Sequence, residues 1–346
     1  MASERRFFYK GMPKKIAIIG GGIIGLYLGW RLSQKEESVV IFEKKNESEA
    51  DFKCCSGLVS ERIKNFIPIE STLIKNKIES CKIKFPKKEI ELIFNPNHLA
   101  LDREGVVRKL IKLNKERGTK IRFGEEIKSI PAGFDKIIFC DGANSFIKKQ
   151  NEFKNNFRLG AQIIVEEKNN NNFVETFFID SGFCWKIPRG ETIEYGIITN
   201  PETLVNEFEK FLSSQNKTRE SGKFYSATIP QPKNFNSLFF SENKDIFLCG
   251  DALGLVKPWS GGGIIWNLVA ADLLIKNIDN SLNYKRAIKN KFAWQIFKGS
   301  ISNKLVGYLG NNIPFMLPSK LIYDNDFPNL PKSIFSLIKM SKSANL

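Results

Sequence analysis

The chain has 346 residues, with 53 lysines and arginines against 37 acids and a formal net charge of +16. That length predicts about two domains. A content of 42% hydrophobic and 26% charged residues excludes a disordered, fibrous or bilayer-embedded chain.

Six cysteines (Cys54, Cys55, Cys81, Cys140, Cys184 and Cys249) are scattered without the spacing of a disulfide scaffold. With no export signal they read as reduced thiols of a cytoplasmic protein. The charge has two readings. One is drift toward Lys and Asn, visible in the tract 169–172. The other is attraction to an anionic phospholipid surface, where each basic residue contributes about 1 kcal/mol. No nucleic-acid module or aromatic–basic repeat is present, so nucleic acid is not an expected partner.

In chain order, Met1–Pro13 is a basic, aromatic arm. Ile16–Ile19 is an apolar run of strand type, and Gly20, Gly22 and Gly25 follow at G-x-G-x-x-G spacing. Leu26–Leu32 continues as a helix, and a second strand, Val39–Phe42, ends in Glu43. Strand, glycine turn, helix, strand and acid is the order a dinucleotide needs. The glycines allow a tight turn, close approach of backbone to pyrophosphate and close helix–strand packing, while Glu43 accepts from ribose hydroxyls. A membrane anchor over Ile16–Leu32 is the competing reading, but five glycines in seventeen residues oppose it. A glycine turn without ligand is the other.

Lys77–Phe94 alternates apolar and charged residues and reads as paired strands. Asp102–Lys115 has helical spacing with an acidic start and basic end. Lys120–Phe123 and Lys136–Cys140 read as strands, the second running into Asp141-Gly142. From Leu159 to Pro230 four alternating stretches read as an antiparallel sheet, interrupted by a helix at Glu202–Ser214. Asp245–Cys249 returns to strand pattern, and Gly261–Ile278 reads as a long apolar helix. The rest is expected to be helical, with breaks at Pro314, Pro318, Pro328 and Pro331. The single histidine, His98, lies in an Asn-Pro-Asn-His stretch and is expected in a surface turn. A Ser–His–Asp hydrolase would rest on it alone.

The fold class is therefore α/β: a Rossmann-type domain, discontinuous in sequence, with an inserted antiparallel β-sheet domain and a helical C-terminal region. The expected boundaries are 14–60, 99–158 and 240–279 for the first, 61–98 and 159–239 for the second, and 280–346 for the last.

Two further stretches carry a family resemblance. Cys249–Ile264, CGDALGLVKPWSGGGI, resembles the second FAD signature of the aromatic-hydroxylase-like flavoproteins, and Cys140–Ser145, CDGANS, their internal Asp-Gly motif. Within that superfamily the chain is most similar to the geranylgeranyl reductases, which saturate isoprenoid double bonds, including those of archaeal membrane lipids. Cys54–Ser60, CCSGLVS, resembles their Cys/Gly loop, and Phe183–Pro188, FCWKIP, their lipid-pocket motif. The chain departs from that pattern at Phe183 (Tyr in the family), Ile187 (Phe) and Ile198 (a second Gly after Gly196).

The resemblance implies FAD as cofactor. It implies cofactor contacts from Gly20, Gly22, Ile24, Gly25, Glu43, Cys54, Cys55, Gly57, Arg103, Asp251, Gly262, Gly263 and Ile264. Ile127, in the strand after Phe123, would hold the adenine through its backbone. Cys55 becomes a candidate proton donor, since a thiol carries its proton at neutral pH. A buried thiol that only fills space is the alternative. Phe183, Trp185 and Pro188 would line an isoprenoid channel, and the Trp185 π face would stabilise positive charge on the reacting alkene. An aromatic strand in a sheet core is the plain alternative. Electrons would come from ferredoxin, NAD(P)H or another carrier, since no second Rossmann signature is present. The substrate would be met at the inner surface of a membrane. A monooxygenase or halogenase of the same fold, or a non-catalytic prenyl-lipid binder, are the other functions open to this sequence.

Overall fold

The computed structural model describes residues 13–49, 55–153 and 156–328. The opening apolar run becomes β1 (Lys15–Ile19), whose last four side chains are covered on both faces, and α1 (Ile23–Ser33) leaves directly from the glycine turn. β2 (Ser38–Glu43) pairs parallel to β1, with Ile19 opposite Phe42. After β3 (Leu58–Ser60) come two long antiparallel strands, β4 (Ile74–Phe85) and β5 (Lys88–Leu101). α2 (Arg103–Glu116) starts at Asp102, whose carboxylate accepts from the Gly105 N–H at 3.0 Å. β6 (Lys120–Phe123), β7 (Lys136–Phe139) and the short α3 (Phe146–Gln150) follow.

β8 (Phe157–Asn169), β9 (Phe173–Ile179), β10 (Gly182–Pro188) and β11 (Gly190–Thr199) form the core of a second sheet. α4 (Leu204–Ser214) covers one face of it with Phe208, Phe211 and Leu212, and β12 (Lys223–Pro230) closes its edge on β8. The chain then returns to the first sheet through β13 (Ile246–Leu248) and continues in α5 (Ile264–Lys276), α6 (Ser281–Asn312) and β14 (Lys320–Tyr323).

The two sheets differ in kind. The first has five parallel strands in the order β13-β7-β1-β2-β6. The second has nine strands, β12-β8-β11-β10-β9-β4-β5-β14 with β3 paired to β5. It is not purely antiparallel: β9 lies parallel to β4, and β14 parallel to β5. Both parallel joints arise where segments distant in sequence meet, since a hairpin can join only antiparallel neighbours. β3 pairs with β5, and β5 runs to Leu101.

Three other expectations are corrected. The glycine stretch 261–263 is a loop, and its helix starts at Ile264. The C-terminal region is mostly the 32-residue α6, but it ends in a strand that joins the large sheet. His98 is not in a surface turn: it sits within β5, paired to Ile78 and Ser60, and is 1% exposed. The turn residues before it are absorbed where the β4–β5 register shifts between Ile78 and Ser80.

α6 ties the sheets together. Gly299 lies against the Trp259 ring, Gly307 against Phe178 and Gly310 against Phe85, each too close for a Cβ. Among the described residues no helix is long and apolar enough to cross a membrane.

Candidate functional site

The carboxyl ends of β1, β2, β7 and β13 open on one edge of the parallel sheet, where the strand order runs outward from β1 in both directions. Sheets of this kind take ligands in that crevice. The three motif glycines divide there by physical role. Gly20 has φ +107°, and a Cβ on it would lie 2.5 Å from the Cys140 carbonyl oxygen. A Cβ on Gly25 would lie 1.9 Å from the Gly20 carbonyl oxygen. The protein's own packing demands both. Gly22 has no such reason, because a Cβ there would meet no protein atom within 4 Å. It is the N-cap of α1, with no side-chain cap and no acid in the first turn. The first N–H groups of α1, that of Ile24 among them, therefore lack an intrahelical acceptor. A phosphate fits this arrangement. Glu43, at the end of β2, accepts the Gly21 N–H at 2.7 Å and the Lys45 N–H at 2.9 Å. A carboxylate has about four lone-pair sites, so it keeps acceptor capacity for two ribose hydroxyls.

The Gly250–Asp251 turn meets this half of the crevice: a Cβ on Gly250 would lie 3.7 Å from the Ile24 Cβ. Beside Asp251 and Asp141 lies Lys148 of α3, buried, with its Nζ lacking any hydrogen-bond partner. Burial pushes its pKa down to about 8, while Asp251 and Asp141 pull it up. A buried ammonium without a hydrogen bond is expensive, and it is a second feature that fits an anionic ligand. Nothing in the sequence pattern singles out Lys148 among 53 basic residues.

α5 supplies a second uncapped helix start, with Gly263 as N-cap and Ile264 as its first residue. The loop before it is closed by the Lys257 N–H donating to Gly262 at 3.0 Å and the Gly261 N–H donating to Lys257 at 2.9 Å. The segment after β14 braces this loop. Asp326 accepts from Ser60 Oγ at 2.5 Å and Arg62 at 3.1 Å, and pairs with Lys257 at 3.3 Å. Trp259 Nε1 donates to Asn325 Oδ1 at 2.8 Å, and Trp266 Nε1 to the Asp326 carbonyl at 2.7 Å. Burial alone would raise the Asp326 carboxyl, but Lys257, Ser60 and Arg62 hold it below its ordinary value. His98 Nε2 lies 3.2 Å from Asn325 Nδ2, and burial beside Lys257 pushes its pKa down to about 3.

On the large sheet, Phe183 and Trp185 of β10 lie with ring centroids 5.9 Å apart. The Trp185 ring lies across β11 at Gly196, where a Cβ would come within 2.2 Å of it. Its Nε1 donates to Glu194 Oε1 at 2.8 Å, and Arg189 pairs with Glu194 Oε2 at 3.3 Å. Both carboxyl oxygens accept and neither donates, the pattern of the ionised form. Burial pushes the Glu194 carboxyl up, with Arg189 and the indole opposing. The same guanidinium donates to the Ser56 carbonyl at 2.5 Å and the Leu101 carbonyl at 2.6 Å. One buried ion pair thus links Trp185 to the loop holding Cys55 and Gly57. Cys55 is half-buried and unbridged. Gly57 lies beside Arg103, the first residue of α2, its added Cβ falling 3.8 Å from that of Arg103. At the other end of the strand pair, Ile198, opposite Phe183, closes on the glycine loop: a Cβ on Gly261 would lie 2.6 Å from its Cδ1.

Not every expected residue joins this group. Pro188 pairs with Ile193, whose side chain is in the α4-covered cluster, so strand alternation turns it away from Trp185. Ile127 is in no strand; it lies in the irregular segment after β6, lining a cleft with Val40, Phe42 and Phe134. Cys54 lies outside the described residues.

Two uncapped helix starts, an acid at the end of β2, another after β13 and a buried lysine between them fit FAD, held by segments far apart in sequence. A family model for the NAD(P)-binding Rossmann-like domain matches residues 18–48. The chain is 22% identical to digeranylgeranylglycerophospholipid reductase of Methanococcus vannielii, over 92% of this chain and 90% of that one. A geranylgeranyl bacteriochlorophyll reductase-like protein from Thermoplasma acidophilum superposes with a TM-score of 0.74 at 17% identity, over 85% of this chain and 88% of its own. Tryptophan 6-halogenase from Streptomyces toxytricini superposes less well, with a TM-score of 0.63 at 13% identity, over 80% and 76%. The structural likenesses carry the fold alone.

Proposed function

We propose that this chain is an FAD-dependent reductase that saturates carbon–carbon double bonds of geranylgeranyl chains on membrane glycerophospholipids. Similarity to a reductase of that substrate class over nine-tenths of both chains supports it. The observation that carries it is the aromatic face of β10, fixed by the Glu194–Arg189 pair against the Cys55 loop.

FAD would be held by the N-termini of α1 and α5 with Glu43, Asp251 and Lys148, and in its reduced form it would supply a hydride to an alkene carbon. The chain's own residues do the remainder. An unactivated alkene offers no carbonyl to polarise, so alignment and water exclusion carry the rate. Phe183 and Trp185 give an apolar wall for the isoprenoid. The indole, held edge-on by Glu194, presents its π face to positive charge developing on the alkene. Cys55 is the candidate donor of the proton that reaches the second carbon. The N-terminus of α5 favours negative charge on the cofactor at Gly263 and Ile264. Two electrons per bond come from ferredoxin, NAD(P)H or another carrier.

The test is anaerobic. Dithionite-reduced protein given geranylgeranyl phospholipid should raise the lipid mass by two hydrogens per bond reduced. Bound FAD that reduces normally while several such lipids stay unchanged overturns the reading. The halogenase or monooxygenase reading of the same fold predicts instead NAD(P)H-driven oxygen consumption stimulated by an aromatic substrate.

A further inference from the structure

α6 is apolar on two opposite faces. The inner face buries Tyr284, Ile288, Phe292 and Ile296. The outer face carries Trp294, Phe297, Ile301, Leu305 and Tyr308, between 42% and 59% exposed. Their steps of three and four residues place all five on one stripe, about 21 Å long at 1.5 Å per residue. A surface helix needs only one apolar face, so the second one calls for a partner.

The charges around the stripe say what kind. Ser281–Asn312 contains six lysines and arginines and no acid. Lys291 and Lys298 border the stripe on one side and Lys304 on the other, and Lys298 reaches over the Trp294 ring at 5.2 Å. Beyond the helix, Phe315 and Met316 extend the exposed apolar surface. We infer that this face of α6 docks on an anionic phospholipid bilayer, its aromatic stripe at the headgroup–acyl boundary and its lysines on the headgroups. Tryptophan and tyrosine suit that boundary, having an apolar body and a polar tip. Long lysine stems reach out from beside an inserted stripe in the same way. A second copy is a poorer occupant, because two such faces would set lysine against lysine.

The docking also orients the molecule. The inner side of α6 meets Trp259 of the glycine loop through Gly299, and Phe178, the strand neighbour of Phe183, through Gly307. Contact through α6 therefore sets the crevice between the sheets beside the bilayer, which is where a lipid substrate would enter. This last point rests on the proposed reductase function; the docking does not.

The experiment is flotation of the full chain with vesicles of saturated diacyl phosphatidylcholine, with and without about one-third phosphatidylglycerol. These lipids contain no double bond to reduce, so failure of the reductase reading leaves the result untouched. The full chain should float with anionic vesicles and bind neutral ones at least tenfold more weakly. Trp294→Ser/Phe297→Ser/Tyr308→Ser should lose at least tenfold in binding, and so should Lys291→Gln/Lys298→Gln/Lys304→Gln. Unaltered thermal melting confirms that each variant is folded. Absence of flotation by the parent chain, or flotation of either variant equal to that of the parent, overturns the proposal. So does a dimer in sedimentation that the aromatic variant abolishes, which would make a second copy the occupant.

Discussion

Lys148 is a residue whose burial makes sense only with a ligand. Its folded pKa of about 8 lies below the ordinary 10.5, so keeping it charged near neutral pH opposes folding. Lys148→Met should leave the apo-protein as stable or more stable in thermal melting, while FAD affinity, read by fluorescence titration, falls about tenfold or more. In the parent protein the same affinity should decline as pH rises through 8 and beyond, because deprotonation removes a buried positive charge that favours an anionic ligand. Equal FAD affinity in parent and variant would place Lys148 outside the cofactor site. No local pattern marks such a residue. Gly20 and Gly25 are legible in the sequence because the turn that needs them is built from their immediate neighbours. Lys148 acquires its role from Asp141 and Asp251, which lie on two different strand ends.

At the scale of elements, the hairpin β10–β11 does more than present aromatic residues. Its Arg189–Glu194 pair joins the large sheet to the Cys55 loop and to the end of β5. Removing one member strands the other. Arg189→Met should destabilise the protein by about 3–5 kcal/mol in denaturant unfolding, and should slow lipid reduction about tenfold to a hundredfold through misplacement. Adding Glu194→Gln to it should recover part of the stability but not the rate, since Trp185 and Ser56 remain unlinked. Alternation made β10 and β11 readable as strands, and Trp185 readable as an aromatic facing a ligand or a core. The ion pair was not readable, because charged residues in a strand and its turn carry no sign of which of them will be buried together. The same limit applies to His98: Asn-Pro-Asn reads as a turn, yet here it lies within a long strand.

At the scale of the molecule, the large sheet, the glycine loop and the C-terminal segment meet in one buried polar cluster around Asp326. His98 belongs to it through Asn325, and its folded pKa of about 3 lies far below its ordinary 6.5. A depressed pKa gives stability that is full above pH 6.5 and is lost as pH falls toward 3. Melting temperature should therefore drop below pH 6.5, and His98→Asn should flatten that slope. An unchanged slope would show that the histidine does not carry the acid sensitivity. The two-domain α/β plan was readable from the order of strand and helix patterns along the chain. The cluster was not, since proline-broken residues after 312 carry no sign that they return to pair with β5.

The bracing of the glycine loop also sets the timing of assembly during synthesis. Lys257 and Asp326 are separated by 69 positions. Ribosomes add about 5–20 residues per second, so roughly 3–14 s pass between the two. Throughout that interval the nascent chain holds both uncapped helix starts but an unbraced glycine loop. Chains that stop before Asp324 should thus emerge with a Rossmann sheet and little retained yellow colour. Cofactor loading then waits on the arrival of Asp324–Asp326.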